Sequence, residues 1–267
     1  RWAGYLLGSL LALAREHALT PENGVELLIY SDVPNACGVA SSSAVTIAAL
    51  RAFALQFGLE LSAAEFGRLA QVVEREVLQA DGRVADSMAS LLAASGELLV
   101  LRGAAGDLVA RVPVPGDLEF VGLETGTQSN GEAKAHLSED EVQRTQRFQE
   151  LLAADATPEN RRELGDLMFA SHEYYSQLGC SNDACDLVVN VLKQRREKGG
   201  SVFGARLTGR GGGGTVVLMG EPTKVWHEAL RAKKALKEST GHSGHVFRWS
   251  SPGAMSFGSL ELQPKNE

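Results

Sequence analysis

The sequence predicts an α+β fold built in two parts, and three observations carry that reading. Apolar residues recur at three- and four-residue spacing through most of the first ninety residues, the spacing of helices with one buried face. Around "GELLVLR", "LVARVPV" and "LEFVGLET" the period shifts towards two, with Gly, Pro and Asp punctuation. Beyond these, helical patterns lead into a tail in which strands and helices alternate, which predicts a second α+β layer. At 267 residues and 44% hydrophobic, the chain can bury one large core or two smaller ones.

Taken in order, "WAGYLLGSLLALAREHAL" predicts a helix ending near "TPENG", its Gly4 and Gly8 notwithstanding. "VELLIYSDV" reads as a strand, and Ala44 to Phe57 as a mostly buried helix. In "LSAAEFGRLAQVVEREVL", Ser62 and Glu65 stand at capping-box spacing, and Phe66, Leu69, Val73 and Val77 share one face. The three strand-like stretches that follow predict a sheet in the middle of the chain. After a polar stretch from Gln128 to Glu141, helices are predicted from Glu141 to Ala154, Pro158 to Leu178 and Asn182 to Lys198. The tail supplies "FGARLTG", "TVVLMG", a helix near Thr223 to Ser239, "HVFRWSS" and "FGSLEL". The division falls between Val114 and Gln128, giving expected domains of 1–120 and 121–267.

Composition narrows the function. Twenty-six basic residues against thirty-three acidic ones leave a charge of −7, with no basic stripe and few aromatics, so a nucleic-acid partner is not expected. Cys37, Cys180 and Cys185 form an odd set with no C-x-x-C pair and no histidine at finger spacing, which speaks against a disulfide framework or a zinc site. A reducing cytoplasm is the expected compartment. No apolar run reaches the roughly 18 to 20 residues that cross a bilayer, and the first residues lack the layout of a secretory signal. The chain starts at Arg1 without a methionine, which predicts a fragment or a processed piece.

Two glycine-containing segments stand out. "VPNACGVASSSAV" sets Pro34, Gly38, Val39, Ala40 and three consecutive serines, Ser41, Ser42 and Ser43, at the mouth of a helix. A serine at a helix start caps free N–H groups, worth about 1 kcal/mol, and that accounts for one of the three. Gly38 lets backbone approach a ligand closely, and a helix N-terminus offers unpaired N–H groups and partial positive charge to a phosphate. In "GARLTGRGGGGTVVLMG", Gly209 and Gly211 to Gly214 interrupt two strands. A flexible hairpin needs one or two glycines; a longer run predicts backbone passing close against a helix terminus or a nucleotide's phosphates. Because an apolar strand follows, the run is neither a P-loop nor a dinucleotide-binding fingerprint.

Together these segments resemble the GHMP superfamily of small-molecule kinases, nearest to galactokinases and arabinokinase-like sugar kinases. "DVPNACGVASSSAV" is similar to the superfamily's phosphate loop, P-x-x-x-G-L-x-S-S-[AS], with Pro34, Gly38, Ser41 and Ser42 matching. "GARLTGRGGGGTVVLMG" resembles its third motif, in which Gly209, Gly211, Gly212 and Gly213 belong to a loop that supports the phosphate loop. "VEREVLQADGRVADSM" resembles the galactokinase stretch V-E-x-x-x-x-G-x-P-C-G-x-M-D-Q, keeping an aspartate but no proline, cysteine or glutamine. "SHEYYSQLGCSNDACDLVV" is similar to S-H-x-S-x-x-x-x-x-V-S-x-P-E-L-D, and "SSPGAMSFGSLEL" to the end of arabinokinase-like chains. "ETGTQSNGEAKAH" lacks the serine, histidine and tyrosine-rich element of related sugar kinases. The arginine-bearing motif G-R-x-N-L-I-G-E-H-x-D-Y has no counterpart here, and is expected upstream of Arg1.

The resemblance implies a two-domain GHMP-kinase fold: an N-terminal mixed α/β domain without its first strands, and a C-terminal ferredoxin-like α+β domain. It implies ATP and Mg²⁺ as cofactors, with the metal on Ser42 and Glu74 and the catalytic carboxylate at Asp86, twelve residues on. Without the resemblance, Glu74 reads as a solvated charge on a helix flank and Asp86 as a cap before "SMASLLAA". The expected activity is phosphorylation of the anomeric hydroxyl of a monosaccharide such as galactose or arabinose, by a monomer or homodimer working on small molecules away from membranes and nucleic acids. The alternatives are a silent relative that senses nucleotide or sugar, and a kinase for a non-sugar alcohol such as mevalonate or homoserine.

Overall fold

The computed structural model describes residues 2–20, 24–80, 82–103, 105–128, 138–209, 211–248 and 250–260. In chain order its elements are α1 (Ala3–Glu16), α2 (Ser41–Gln56), α3 (Ala63–Val72), α4 (Val84–Leu92), β1 (Glu97–Arg102), β2 (Asp107–Pro113), β3 (Glu119–Glu124), α5 (Glu139–Ala153), α6 (Pro158–Gln177), α7 (Asp183–Glu197), β4 (Val202–Leu207), β5 (Thr215–Gly220), α8 (Lys224–Thr240), β6 (His245–Arg248) and α9 (Ala254–Phe257). Val73–Val77 continues α3 as a π-helical turn. The chain divides into two compact units, one of residues Arg1–Asp32, Ser42–Arg111 and Ser250–Glu267, the other of Val33–Ser41 and Val112–Trp249.

The first unit is mostly helical. Ser62 and Glu65 form the reciprocal capping box that starts α3, with the Ser62 N–H donating to Glu65 Oε2 at 2.7 Å. Phe66, Leu69, Ala70 and Val73 of this helix pack with Leu13 of α1, Ile47, Leu50 and Phe53 of α2, and Leu91 of α4. Gly4 and Gly8 of α1 are explained by this packing, because a Cβ at Gly4 would press on Leu78, just past the π-helical turn, and one at Gly8 on Val73 and Val77 within it. β1 and β2 pair as a two-stranded sheet.

The second unit is a four-stranded sheet of order β4-β5-β3-β6 in which each pairing is antiparallel. With its helices it follows the β-α-β-β-α-β plan of ferredoxin-like folds. Alternate residues supply the core: Val121 and Leu123 from β3, Val216 and Leu218 from β5, Ala205 from β4 and Val246 from β6. They meet Val188, Val189 and Leu192 of α7, and Val225, Ala229, Ala232 and Leu236 of α8, whose three- and four-residue spacing makes one apolar stripe. Side chains at Ser138, Thr157 and Asn182 cap α5, α6 and α7. Cys37, Cys180 and Cys185 are buried free thiols. Among the described residues no helix is long and apolar enough to cross a membrane.

Three expectations are corrected. "VELLIYSDV" forms no strand: Gly24 to Val33 is exposed, with Leu28 99% accessible, and pairs with no sheet strand among the described residues. Its residue types suit a pleated surface, but an extended segment becomes a strand only when a neighbour takes up its N–H and C=O groups. The three middle stretches do not share one sheet. β3, buried through Val121 to Leu123, pairs with β5 and β6 more than ninety residues further on, while β1 and β2 pair with each other. In "FGSLEL" Phe257 ends α9 and Gly258 to Leu260 carry no regular structure, the last two residues lying outside those described. The polar stretch from Gln128 lies largely outside them too.

Gly165 is where α6 meets β4: a Cβ there would overlap the Phe203 carbonyl. Gly165→Ala must therefore separate helix from strand, and overpacking of this kind costs roughly 1–3 kcal/mol. Chemical denaturation should register that loss, and an unchanged midpoint would contradict the contact.

Candidate functional site

In the second unit the segment Val33–Ser41 lies against the glycine-rich turn that follows β4. Thr215 Oγ1 donates to the Cys37 carbonyl at 2.7 Å, and Thr208 Oγ1 donates to the Gly38 carbonyl at 2.7 Å. Behind them, the N–H and hydroxyl of Thr125 both donate to the Gly214 carbonyl, at 2.8 and 2.9 Å. The glycines are required by proximity. A Cβ at Gly214 would overlap Cys37, one at Gly211 would overlap the Cys180 carbonyl, and one at Gly213 would strike the Asn182 amide. The Gly212 N–H donates to the Cys180 carbonyl at 2.6 Å. Gly38, at φ +75°, would bring a Cβ to 3.2 Å from both the Gly213 carbonyl and Thr208 Oγ1.

The loop alternates its handedness. Ala36, Gly38 and Ala40 all have positive φ, at 56°, 75° and 58°. Such angles cost an alanine of order 1 kcal/mol or more and persist only where surrounding contacts impose them, which here are the threonine clamps on Cys37 and Gly38. Pro34, Val39 and Ala40 are half-buried in the same segment. Gly209 is exposed at the turn's start, whereas Gly212 and Gly213 are buried.

The three serines do three different things, because successive helical positions point about 100° apart. Ser41 Oγ stays with the loop, accepting from the Ala36 N–H at 3.4 Å and reaching Asn35 Oδ1 at 3.5 Å. Ser42 is half-buried in the first turn of α2, and its carbonyl accepts from Thr46. Ser43 is buried and donates to Glu74 Oε1 at 3.4 Å.

Glu74 and Asp86 both belong to the first unit and differ sharply in setting. Glu74 sits in the π-helical turn, a local widening found often at functional positions, and is only 3% exposed. It is not the solvated flank charge that helical spacing alone suggests. Its carboxylate presses on Gly82, where a Cβ would overlap it. Burial pushes its pKa above the ordinary carboxylate range, the charge of Asp86 pushes the same way, and hydrogen bonds from Ser43 and Ser42 oppose them. A buried carboxylate beside hydroxyls and a second carboxylate is a place that a hard cation stabilises, and these oxygen donors fit Mg²⁺. The fit is sparse: among the described residues no three His, Cys, Asp or Glu side chains converge as a metal cluster.

Asp86 is the third residue of α4, one turn past the N-cap position held by Arg83, so it does not cap the helix. Its Oδ1 accepts from Arg83 Nη2 at 2.9 Å, with both side chains 33% exposed. Arg83 Nε and Ser87 Oγ are buried and have no partner among the described residues. A half-used guanidinium and an idle hydroxyl therefore flank an accessible carboxylate, which suits hydrogen bonding to a polar ligand. Arg83 went unread in the sequence, although Arg and Asp three apart on a helix are natural partners. Thr125, Thr208 and Thr215 were missed as clamps, since isolated threonines around strand ends carry no local signal.

Comparison with known proteins identifies the family. Residues 4–94 match the family model of the GHMP kinases N-terminal domain, and residues 148–239 that of the GHMP kinases C-terminal domain. An L-arabinokinase of Arabidopsis thaliana is 23% identical, covering 98% of this chain; the chain spans only 36% of that protein's length. A galactokinase of Levilactobacillus brevis is 22% identical over 92% of this chain and 74% of its own, and a mevalonate kinase of Methanocaldococcus jannaschii is 24% identical over 86% and 70%. Among solved structures, Lactococcus lactis galactokinase complexed with galactose superimposes with a TM-score of 0.72 at 19% identity, over 95% of this chain and 76% of that one. Matched in both its N-terminal and C-terminal domains, the chain belongs to the GHMP kinases.

Proposed function

We propose that the chain is the catalytic part of an ATP- and Mg²⁺-dependent kinase that transfers the γ-phosphoryl group of ATP to the anomeric C1 hydroxyl of a monosaccharide such as galactose or arabinose. The observation that carries the reading is the unequal pair of carboxylates, one buried among serine hydroxyls and one accessible beside a half-used arginine. Phosphoryl transfer requires that division of labour: one group for the metal, another for the attacking hydroxyl. The choice of a sugar rests on the L-arabinokinase and galactokinases among the relatives. A non-sugar alcohol is the second reading, favoured by the mevalonate kinases that stand beside them.

In this reading the loop of Pro34, Gly38, Val39, Ala40, Ser41, Ser42 and Ser43 receives the nucleotide's phosphates on backbone N–H groups at the start of α2. Thr208 and Thr215, on either side of the turn that contains Gly209, Gly211, Gly212 and Gly213, hold that loop in shape. Ser42 and Glu74 would hold Mg²⁺, which supplies positive charge to the phosphates. Asp86 orients the acceptor hydroxyl and takes up its proton as the hydroxyl oxygen bonds to the γ-phosphorus and ADP departs. Arg83 fixes the Asp86 carboxylate through one nitrogen.

The test uses the full-length protein with ATP and a panel of monosaccharides, mevalonate and homoserine. Asp86→Asn keeps the shape and removes the carboxylate, so turnover should fall about 10²- to 10⁴-fold while ATP binding persists. Undiminished turnover would reduce Asp86 to a helix residue and favour a binding protein. Glu74→Gln should instead raise the Mg²⁺ concentration needed for half-maximal rate, and an unchanged requirement would remove Glu74 from the metal site. Gly38→Val should abolish ATP affinity in a variant whose circular dichroism is unaltered; intact affinity would detach the loop from the phosphates.

A further inference from the structure

The segment "SHEYYSQLGCSNDACD" builds a buried polar network in the second unit that the proposed chemistry does not use. His172 of α6 is 5% exposed. Its Nδ1 accepts the Leu207 N–H at 3.2 Å, so the ring proton stands on Nε2, which faces Asp186 Oδ1 at 3.1 Å. Asp186, in the first turn of α7, also accepts from Ser176 Oγ at 3.0 Å and Ser181 Oγ at 2.5 Å. One carboxylate thus gathers three donors from α6 and from the turn between α6 and α7.

That network ends on the glycine-rich turn from both sides. β4 is an edge strand of its sheet, so its outward N–H groups have no ladder partner, and His172 takes the one at Leu207, the last residue before Thr208 and Gly209. From the other side, the α6–α7 turn closed by the Cys180 N–H on the Tyr175 carbonyl presents the Cys180 carbonyl to the Gly212 N–H. Asn182 of that turn caps α7 and abuts Gly213. The two ends of the glycine-rich turn are therefore held by one hydrogen-bonded unit centred on His172 and Asp186.

We infer that His172 is a positioning residue for the phosphate-binding loop: its neutral imidazole fixes the strand end that carries Thr208, and protonation of the ring releases it. This rests on the nucleotide reading above. A protonated ring would turn an N–H towards the Leu207 N–H, so that contact is lost while the Gly212 N–H keeps the Cys180 carbonyl. Access for the proton exists, because a cavity of about 260 Å³ opens beside His172, lined by Glu173, Ser176, Asp186, Asn190 and Lys193. Burial holds the imidazole below its usual pKa and the Arg206 charge from β4 adds to this, while Asp186 from α7 opposes both. Glu173 on α6 and Lys193 on α7 are the other charged groups on that cavity. Since the folded pKa lies below the unfolded one, the contact is present at neutral pH and lost as pH falls through the imidazole's depressed range.

Two near-isosteres separate the ring's roles. Asparagine places an oxygen near Nδ1 and keeps the acceptor for Leu207; glutamine places an amide near Nε2 and keeps the donor to Asp186; neither titrates. In the full-length protein, ATP affinity should weaken on acidification from pH 8 to 5.5, and His172→Asn should hold near wild-type affinity with that pH dependence abolished. His172→Gln should bind ATP about two- to tenfold more weakly at pH 8, the worth of one hydrogen bond. Amide hydrogen exchange, corrected for the intrinsic rate, should quicken at Leu207 in His172→Gln but not in His172→Asn. Equal exchange in the two variants, or wild-type and His172→Asn affinities that follow the same pH profile, would overturn the inference. The exchange comparison needs no nucleotide, so it decides the anchoring even if the kinase reading fails.

Discussion

The candidate nucleotide loop depends on backbone packed against backbone. Cys37 and Gly38 give their carbonyls to Thr215 and Thr208, and the surface they lie on is glycine because no side chain fits there. Side chains can be exchanged for others of similar size, but a contact between two main chains admits only the missing Cβ. Gly211, Gly213 and Gly214 each meet a different neighbour, Cys180, Asn182 and Cys37. The glycine run is therefore a template for three surfaces, and its length follows from their number rather than from a need for flexibility.

Electrostatics divides the two carboxylates. Glu74 is removed from water and kept next to hydroxyls, where its charge is stabilised poorly by protein alone. Asp86 keeps part of its exposure to solvent and an arginine partner. Gly82 enforces the difference: its lack of a side chain is what lets the Glu74 carboxylate lie flat against the chain.

Much of this was legible in the order of residues. A helix with an explicit start signal, Ser62 and Glu65 on α3, could be placed because capping is a local interaction. The strands of the second unit were recognisable by their alternation, although their order in the sheet was not, since β3 pairs with residues near the end of the chain. The failure at Val25 to Val33 has the same origin: β-propensity is written in the residues, and the partner is not. In the site, the serines and glycines were visible as unusual composition. The burial of Glu74 was not, because it depends on a π-helical turn that adds one residue to the helical count and shifts what faces the core. Arg83 was hidden by its setting among surface-type residues, and only its pairing with Asp86 gives it meaning.

The threonine clamps also set a schedule. Thr208 and Thr215 lie 170 and 178 residues downstream of the groups they hold. A chain emerging at roughly 5–20 residues per second exposes the alternating turns of Ala36, Gly38 and Ala40 for many seconds before their restraints exist. Until then the positive φ angles of the alanines are unsupported, and the segment samples ordinary extended conformations instead. Closing so long a loop is among the most entropically expensive steps available to a domain, so it belongs late in folding. A nascent or truncated chain that lacks Thr208 and Thr215 thus leaves Ala36 to Ala40 without restraint, and the candidate nucleotide loop takes its shape only with the last third of the polypeptide.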